Sequence, residues 1–255
     1  MVKPVLEGTV ALVTGASSGI GAATAAALAA QGAAVALAAR RRDRLEALAA
    51  GIRDQGGTAL VLECDVTQEK QATDAVAGTV AELGRLDTLI NNAGVMLLGP
   101  VEDAPTDEWR RMVEVNLLGL MYCAQAALPH LVSAAEDGPR RVADMVNLSS
   151  VAGRIARSGN AVYNATKHGV GAFSEALRQE VTTRHVRVSL IEPGVTETEL
   201  AGHNRSEVLE QINRRFGDIT RLKAVDIAET IGFVVTRPRH MIINELMIRP
   251  TEQEG

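Results

Sequence analysis

Aromatic residues make up only 2% of the 255 residues, with a single Trp at position 109. A pocket built on aromatic stacking is therefore not expected, and Trp109 reads as packing. Cysteine is nearly absent. Cys64 and Cys123 lie far apart, each in an apolar or strand-like stretch, which argues against a disulfide framework and for buried thiols in a reducing cytoplasm. A basic excess is also missing: 26 Lys plus Arg face 31 Asp plus Glu, a formal charge of −5, so no field exists to hold nucleic acid or an anionic membrane. No apolar leader precedes the first strand and no later run keeps the roughly 18 uncharged apolar residues of a membrane span. The five histidines, at 130, 168, 185, 203 and 240, have no metal-ligand spacing, and no metal is expected. Asn-x-Ser/Thr triplets begin at Asn147, Asn164 and Asn204; without a secretory signal they are chance or structural. What remains as a partner is a small molecule.

From residue 9 onward, short β-branched runs alternate with longer Ala-rich stretches, the order expected of parallel strands joined by crossover helices. Strands are predicted at 9–13, 34–39, 58–63, 86–90, 142–147, 186–191 and 242–248, and helices at 20–31, 42–54, 68–82, 106–132, 161–183 and 225–236. Gly32 and Gly84 are placed to end helices in the left-handed conformation. The expected fold is α/β: a Rossmann-type, doubly wound, seven-stranded parallel sheet with helices on both faces, in one domain over 1–255, since no linker divides the chain. Residues 200–222 break the alternation and read either as a helical flap over the carboxyl ends of the strands or as a surface helix pair.

Gly15, Gly19 and Gly21 stand between the first strand and the first helix, where glycines allow a tight turn and close approach of a pyrophosphate to backbone N–H groups. After the second strand, where an acid would meet the ribose hydroxyls of NAD, Ala39 is followed by Arg40, Arg41 and Arg42. Guanidinium there favours the extra phosphate of NADP(H), carried by Arg40 together with Arg41; a solvated first helical turn is the alternative. Asp65 is placed to accept from an adenine amino group or to cap the helix that follows. Asn91 and Asn92, with Ala93 and Gly94, end the fourth strand, where amides can bridge strand ends and Gly94 permits close approach to a ligand.

Ser150 precedes Tyr163 by thirteen residues, and Tyr163 and Lys167 stand at i, i+4 on one helix face. A tyrosine titrates near 10 in water, and an ammonium one turn away is expected to draw it toward neutrality, making Tyr163 a candidate acid and base. Asn116 interrupts an apolar run, and a buried amide there needs a partner.

These segments, Thr14 to Gly21, Asn91 to Gly94, Asn116, Ser149-Ser150, Tyr163-x-x-x-Lys167 and Pro193-Gly194-Val195 with Thr198, resemble the short-chain dehydrogenases/reductases in order and spacing over nearly the whole chain. The resemblance implies hydride transfer between NADP(H) and a carbonyl or alcohol. Tyr163 would move the proton, Ser150 would bind the substrate oxygen, Lys167 would contact the nicotinamide ribose, and Asn116 would hold a relay water. It also implies cofactor contacts at Ser17, Ser18, Ile20, Val66, Thr196 and Thr198, with Val195 donating and accepting through its backbone. Residues 96–104 and 244–251 are similar to a subgroup of clavulanic acid dehydrogenase-like and 3-hydroxy acid dehydrogenase-like members, which implies a small carboxylated aldehyde or ketone. Arg154, Arg157, Arg205, Arg214 and Arg215 are then candidates for a substrate carboxylate. The family also implies a homo-oligomer, a tetramer or dimer. A 3-oxoacyl or polyketide ketoreductase and a non-catalytic NADP(H) sensor are the rival readings.

Overall fold

The computed structural model describes residues 4–254. In chain order the elements are β1 (Val10–Thr14), α1 (Gly19–Ala30), β2 (Ala34–Ala39), α2 (Arg42–Asp54), β3 (Ala59–Glu63), α3 (Glu69–Leu83), β4 (Thr88–Asn91), α4 (Thr106–Val113), α5 (Gly119–Asp137), β5 (Ala143–Leu148), α6 (Ala161–Val181), β6 (Val186–Pro193), β7 (Thr196–Glu197), α7 (Ser206–Phe216), β8 (Leu222–Lys223), α8 (Ala224–Val235) and β9 (Glu245–Ile248). Seven strands form one sheet in the order β3-β2-β1-β4-β5-β6-β9, with every neighbouring pair parallel. The chain winds outward from β1 to β3 and then restarts beside β1 with β4. The crevice at that reversal lies at the carboxyl ends of the strands.

The strands are apolar on both faces because helices cover both. Leu12, Ala36 and Ala38 point toward a core with Val76 of α3, Cys123, Ala127 and Leu131 of α5, and Leu177 of α6. Ala11, Val13, Val35 and Leu37 point the other way, toward Leu28 of α1, Leu45 and Ile52 of α2, and Ile227 and Ile231 of α8. The period-two alternation thus assigns residues to one core or the other rather than to core or water.

Buried ion pairs fix the amino end of the sheet. Asp87 accepts from Val10 N–H and from Arg85. Asp144 on β5 accepts from Arg187 on β6 at 2.7 and 2.9 Å and from Arg140. Both carboxylates are almost fully buried, so each is held by hydrogen-bonded guanidinium, without which its desolvation would be strongly unfavourable.

Several expected boundaries move. The helix expected at 106–132 is two helices joined by a π-turn, Glu114–Leu118, whose extra residue is invisible to a 3.6-residue pattern. Its second half runs on to Asp137. Residues 106–137 contain a window of mean hydropathy 1.3, long and apolar enough to cross a membrane by composition, contrary to the expectation above. One face of this stretch, including Cys123, Ala127 and Leu131, packs into the core against the sheet, while Val113 and Leu118 are exposed. The final strand covers 245–248 rather than 242–248. Gly32 and Gly84 adopt positive φ after α1 and α3, at 95° and 84°.

Candidate active site

At the end of β1 the chain turns through Gly15 and Gly19, with φ of 65° and 54°, a region that strains any residue with a Cβ. A Cβ at Gly15 would also lie 2.8 Å from Ala93 Cα. The turn is clamped to the end of β4: Thr14 Oγ1 accepts from the N–H groups of Asn92 and Ala93 at 3.0 and 3.1 Å, and Asn92 Nδ2 donates to the carbonyls of Thr14 and Gly15. A Cβ at Gly21 would collide with that same amide. These contacts hold the first turn of α1 open toward the crevice.

Ser18 stands at the N-cap of α1, but its side chain does not cap the helix. Its Oγ accepts from Arg41 Nη2 at 2.7 Å, while Ser17 Oγ accepts from Arg41 Nε and Nη2 at 3.1 and 2.9 Å. The other arm of Arg41 donates to Glu199 at 2.8 Å, and Arg44 donates to the second oxygen of the same carboxylate. Arg44 and then Arg41 hold the Glu199 carboxyl down at about 2. Arg40 is exposed at the cavity wall beside them. Asp65 caps the chain locally, its Oδ1 accepting from Thr67 N–H and Oγ1 at 3.0 and 2.9 Å.

Under the crevice, Asn91 Nδ2 donates to Asn147 Oδ1, Asn147 Nδ2 donates to Ser174 Oγ, and Ser174 donates to the Val170 carbonyl. The chain of amides ties β4 and β5 to α6, which carries Tyr163 and Lys167. Asn116 sits in the π-turn. Its Oδ1 accepts from Val95 N–H at 2.8 Å, and its Nδ2 donates to the Val95 carbonyl and to Thr166 Oγ1. Asn116 is therefore a clamp on the strand-end turn. The water-holding role implied for it finds the side-chain amide already occupied.

Ser149 and Ser150 have separate jobs. Ser149 Oγ donates to the Lys167 carbonyl at 3.0 Å, fastening β5 to α6. Ser150 Oγ accepts from Ala152 N–H at 3.1 Å and faces the Tyr163 hydroxyl. Tyr163 and Lys167 are each about 5% exposed. Lys167 Nζ donates to the Leu148 carbonyl at 2.8 Å and stands 5.9 Å from the centre of the Tyr163 ring. Burial pushes the phenol up to about 12, only partly offset by Ser150, and burial brings the ammonium down to about 8. The expected pull of Tyr163 toward neutrality is not seen in the protein alone: desolvation raises the phenol and the hydrogen bond with Ser150 offsets only part of it.

Most expected site residues line one cavity of about 550 Å³. Gly21 and Asn116 do not; they pack behind its wall. The segment after β6 carries a correction. Val195 N–H donates to Gln253 Oε1 at 2.9 Å and its carbonyl accepts from Leu222 N–H at 3.1 Å, so both groups expected to serve a ligand are engaged within the chain. Pro193, Gly194, Thr196 and Thr198 line the same wall, and Thr198 Oγ1 caps the short turn Glu199–His203.

Residues 200–222 border the cavity. Their base is a two-residue parallel ribbon of β7 with β8, and α7 turns Val208, Ile212 and Phe216 into the cavity. Asn204 fastens them: Oδ1 accepts from Leu98 N–H at 2.7 Å, and Nδ2 donates to the Met96 carbonyl. Asn164 pins the facing loop, donating to the carbonyls of Ala152 and Ile155 and accepting from Arg157 N–H. Both asparagines were passed over in sequence, where only their triplets stood out. With Asn147, all three triplets prove to be structural pins. Gln253 and Arg249 were also missed, since nothing local shows that the last strand carries its chain end to the crevice.

The side chains at the α6 end can hold an oxygen and move a proton, but they cannot carry a hydride. At the other end, the glycine turn, the uncapped helix start and Arg41 are shaped for an anionic dinucleotide. The two ends together define a nicotinamide-dependent oxidoreductase. The family model described as short chain dehydrogenase matches residues 9–209. The chain is 38% identical to the glycine betaine reductase ATRR of Emericella nidulans over 98% of its own length, and spans 19% of that protein. It is 34% identical to an uncharacterized oxidoreductase of Staphylococcus saprophyticus, covering 96% of each. A serine dehydrogenase solved in closed form with NADP+ superposes with a TM-score of 0.88 at 30% identity, covering 97% of both chains. The chain belongs to the short-chain dehydrogenase/reductase family.

Proposed function

We propose that the protein uses NADP(H) to interconvert a small carbonyl compound and its alcohol, acting as a reductase on an aldehyde or ketone that bears a carboxylate. The observation that carries the reading is the Ser150, Tyr163 and Lys167 cluster, buried at one end of a cavity whose other end presents Arg40 and Arg41. The cavity fits the cofactor on its own features: helix α1 begins without a side-chain cap, and Gly15 and Gly19 keep the turn free of side chains where a pyrophosphate would lie.

When bound, the nicotinamide supplies or receives the hydride. Gly15, Ser17, Ser18, Gly19 and Ile20 would hold the phosphates, Asp65 and Val66 the adenine side, and Asn92 to Gly94 with Pro193, Gly194, Thr196 and Thr198 the nicotinamide side. Val195, which lines the same wall, would serve the nicotinamide through its backbone once released from Gln253 and Leu222. Arg41, already oriented by Ser17 and Ser18, would bind the extra phosphate of NADP(H) with Arg40. Ser150 Oγ holds the substrate oxygen, and the Tyr163 hydroxyl gives it a proton in the reductive direction. A phenol held near 12 keeps that proton at neutral pH. Lys167 offers its charge to the alkoxide or phenolate that develops once water is excluded.

Cys64 and Cys123, pushed up by burial to about 11 and 12, are unreactive thiols that suit the cytoplasm. The protein is proposed to act as a homo-oligomer, a dimer or tetramer, and a monomer by light scattering would count against that. The functional test is loss of nicotinamide absorbance with NADPH and, separately, NADH against aldehydes, 3-oxo acids and acyl thioesters. The reading expects NADPH-dependent turnover of the small carbonyls. A thioester preference would move it to a ketoacyl reductase, and NADPH binding without any turnover to a sensor.

A further inference from the structure

The turn after β9 lies against the crevice and places one side chain in its wall. Gly194 N–H donates to the Ile248 carbonyl at 2.7 Å, just past the pairing of Pro193 with Ile248 that ends the ladder of β6 with β9. The chain then turns back through Pro250, and Gln253 N–H donates to the Pro250 carbonyl at 3.0 Å. Gln253 is 9% exposed and lines the cavity. Its Oε1 accepts from Val195 N–H at 2.9 Å. A backbone N–H can only donate, so the carbonyl half of the amide is the half that faces Val195. Gly194 makes room for the contact: a Cβ there would collide with Gln253 Oε1 and press on Pro250 and Arg249. The same turn holds the end of the segment 200–222. Glu252 Oε2 accepts from Thr220 N–H at 3.0 Å, two residues before Leu222, whose N–H donates to the Val195 carbonyl. Both polar groups of the Val195 backbone are thus held by pieces of chain that Glu252 joins to each other.

The group that occupies Val195 N–H is a primary carboxamide, the same functional group that a nicotinamide ring carries. Val195 lines the wall on the nicotinamide side of the cavity, so two carboxamides have one donor to share, and the donor serves one of them in good geometry at a time. We propose that Gln253 is an internal stand-in for the nicotinamide carboxamide: it keeps Val195 N–H paired in the free protein and yields that donor when NADP(H) enters. The proposal rests on the NADP(H) reading. One neutral hydrogen bond is exchanged for another, so the effect on affinity is modest, and it is confined to ligands that carry a nicotinamide. Withdrawal of Gln253 also moves Glu252, which couples the occupancy of Val195 to the hold on Thr220.

The test measures affinity rather than turnover, with NADPH and with 2′,5′-ADP, which carries the extra phosphate but no nicotinamide. Gln253→Met keeps the length of the side chain and removes its carbonyl. Its Kd for NADPH should fall about fivefold, the scale of one neutral hydrogen bond that no longer competes, while its Kd for 2′,5′-ADP stays where it was. Weaker NADPH binding would overturn the proposal and make Gln253 a prop for the Val195 loop; an unchanged Kd, or an equal change for both ligands, would overturn it too. Hydrogen exchange on the wild type gives an answer that does not depend on the variant folding. Residues 250–254 should exchange faster with NADPH bound than with 2′,5′-ADP bound, and equal or slower exchange would contradict the release of Gln253. Failure of the wild type to bind either ligand would instead overturn the NADP(H) reading, and the proposal with it.

Discussion

At the β2 end of the cavity Arg41 and Arg44 share the carboxylate of Glu199, and Arg41 also rests on two serine hydroxyls. At the catalytic end Lys167 is buried against the Leu148 carbonyl, with no carboxylate in an ion pair with it among the described residues. The same kind of charge is compensated in one place and left uncompensated in the other. The first arrangement keeps a site formed before the ligand arrives, with an internal carboxylate that an incoming phosphate must displace. The second is a buried ammonium whose hydration is replaced by one carbonyl. Cofactor selection is then a competition between anions for Arg41, whereas the catalytic end holds a charge at a cost in desolvation.

If the catalytic end is uncompensated, its largest signature is in stability against pH. Lys167 in the folded protein titrates near 8 rather than at the ordinary 10.5. As pH rises between those values the folded state has shed a Lys167 proton that the unfolded chain still holds, so this group's own contribution to stability should rise, by on the order of 3 kcal/mol for a shift of this size, while Cys64 and Cys123, raised by burial, contribute in the opposite direction. Denaturant titrations of wild type and Lys167→Met across that window measure it. A difference between the two that stays constant with pH would show that the buried ammonium carries no such penalty.

The compensated end predicts a sharper contrast between cofactors. Arg41→Ala should raise the Kd for NADPH about thirtyfold while changing the Kd for NADH little, the expected scale for a charged hydrogen-bond partner of phosphate. Equal weakening of both would mean that Arg41 only braces the serine loop. A smaller effect of opposite sign is expected from Glu199→Gln, which removes the competing carboxylate: NADPH should bind a few times more tightly, and more so at low salt, because these groups are solvent-exposed. Weaker NADPH binding would instead make Glu199 a support for Arg41.

The seven parallel strands were legible because strands covered on both faces are uniformly apolar and the intervening helices are Ala-rich. The glycine turn was legible because positive φ and backbone contact at Gly15 leave no other residue type without strain. The π-turn at Glu114–Leu118 was not, since one inserted residue leaves an apolar run looking like a continuous helix. The roles of Asn164 and Asn204 were hidden for another reason. An asparagine that pins two loops by hydrogen bonds to their carbonyls looks, in sequence, like any other polar residue. The choice among the arginines needed tertiary structure outright: Arg154 is spent only because β6 and β9 lie side by side and bring Glu192 and Glu245 together.

The central claim is that one cavity binds the cofactor at its compensated end and moves a proton at the other. The measurement that tests it most directly is the Tyr163→Phe variant, assayed in parallel for NADPH affinity and for NADPH consumption with a substrate that the wild type reduces. The two ends acting separately predict an unchanged Kd for NADPH with turnover reduced by about a thousandfold, as expected for removal of a general acid. Near-native kcat in the variant would contradict the assignment of Tyr163 as the proton donor.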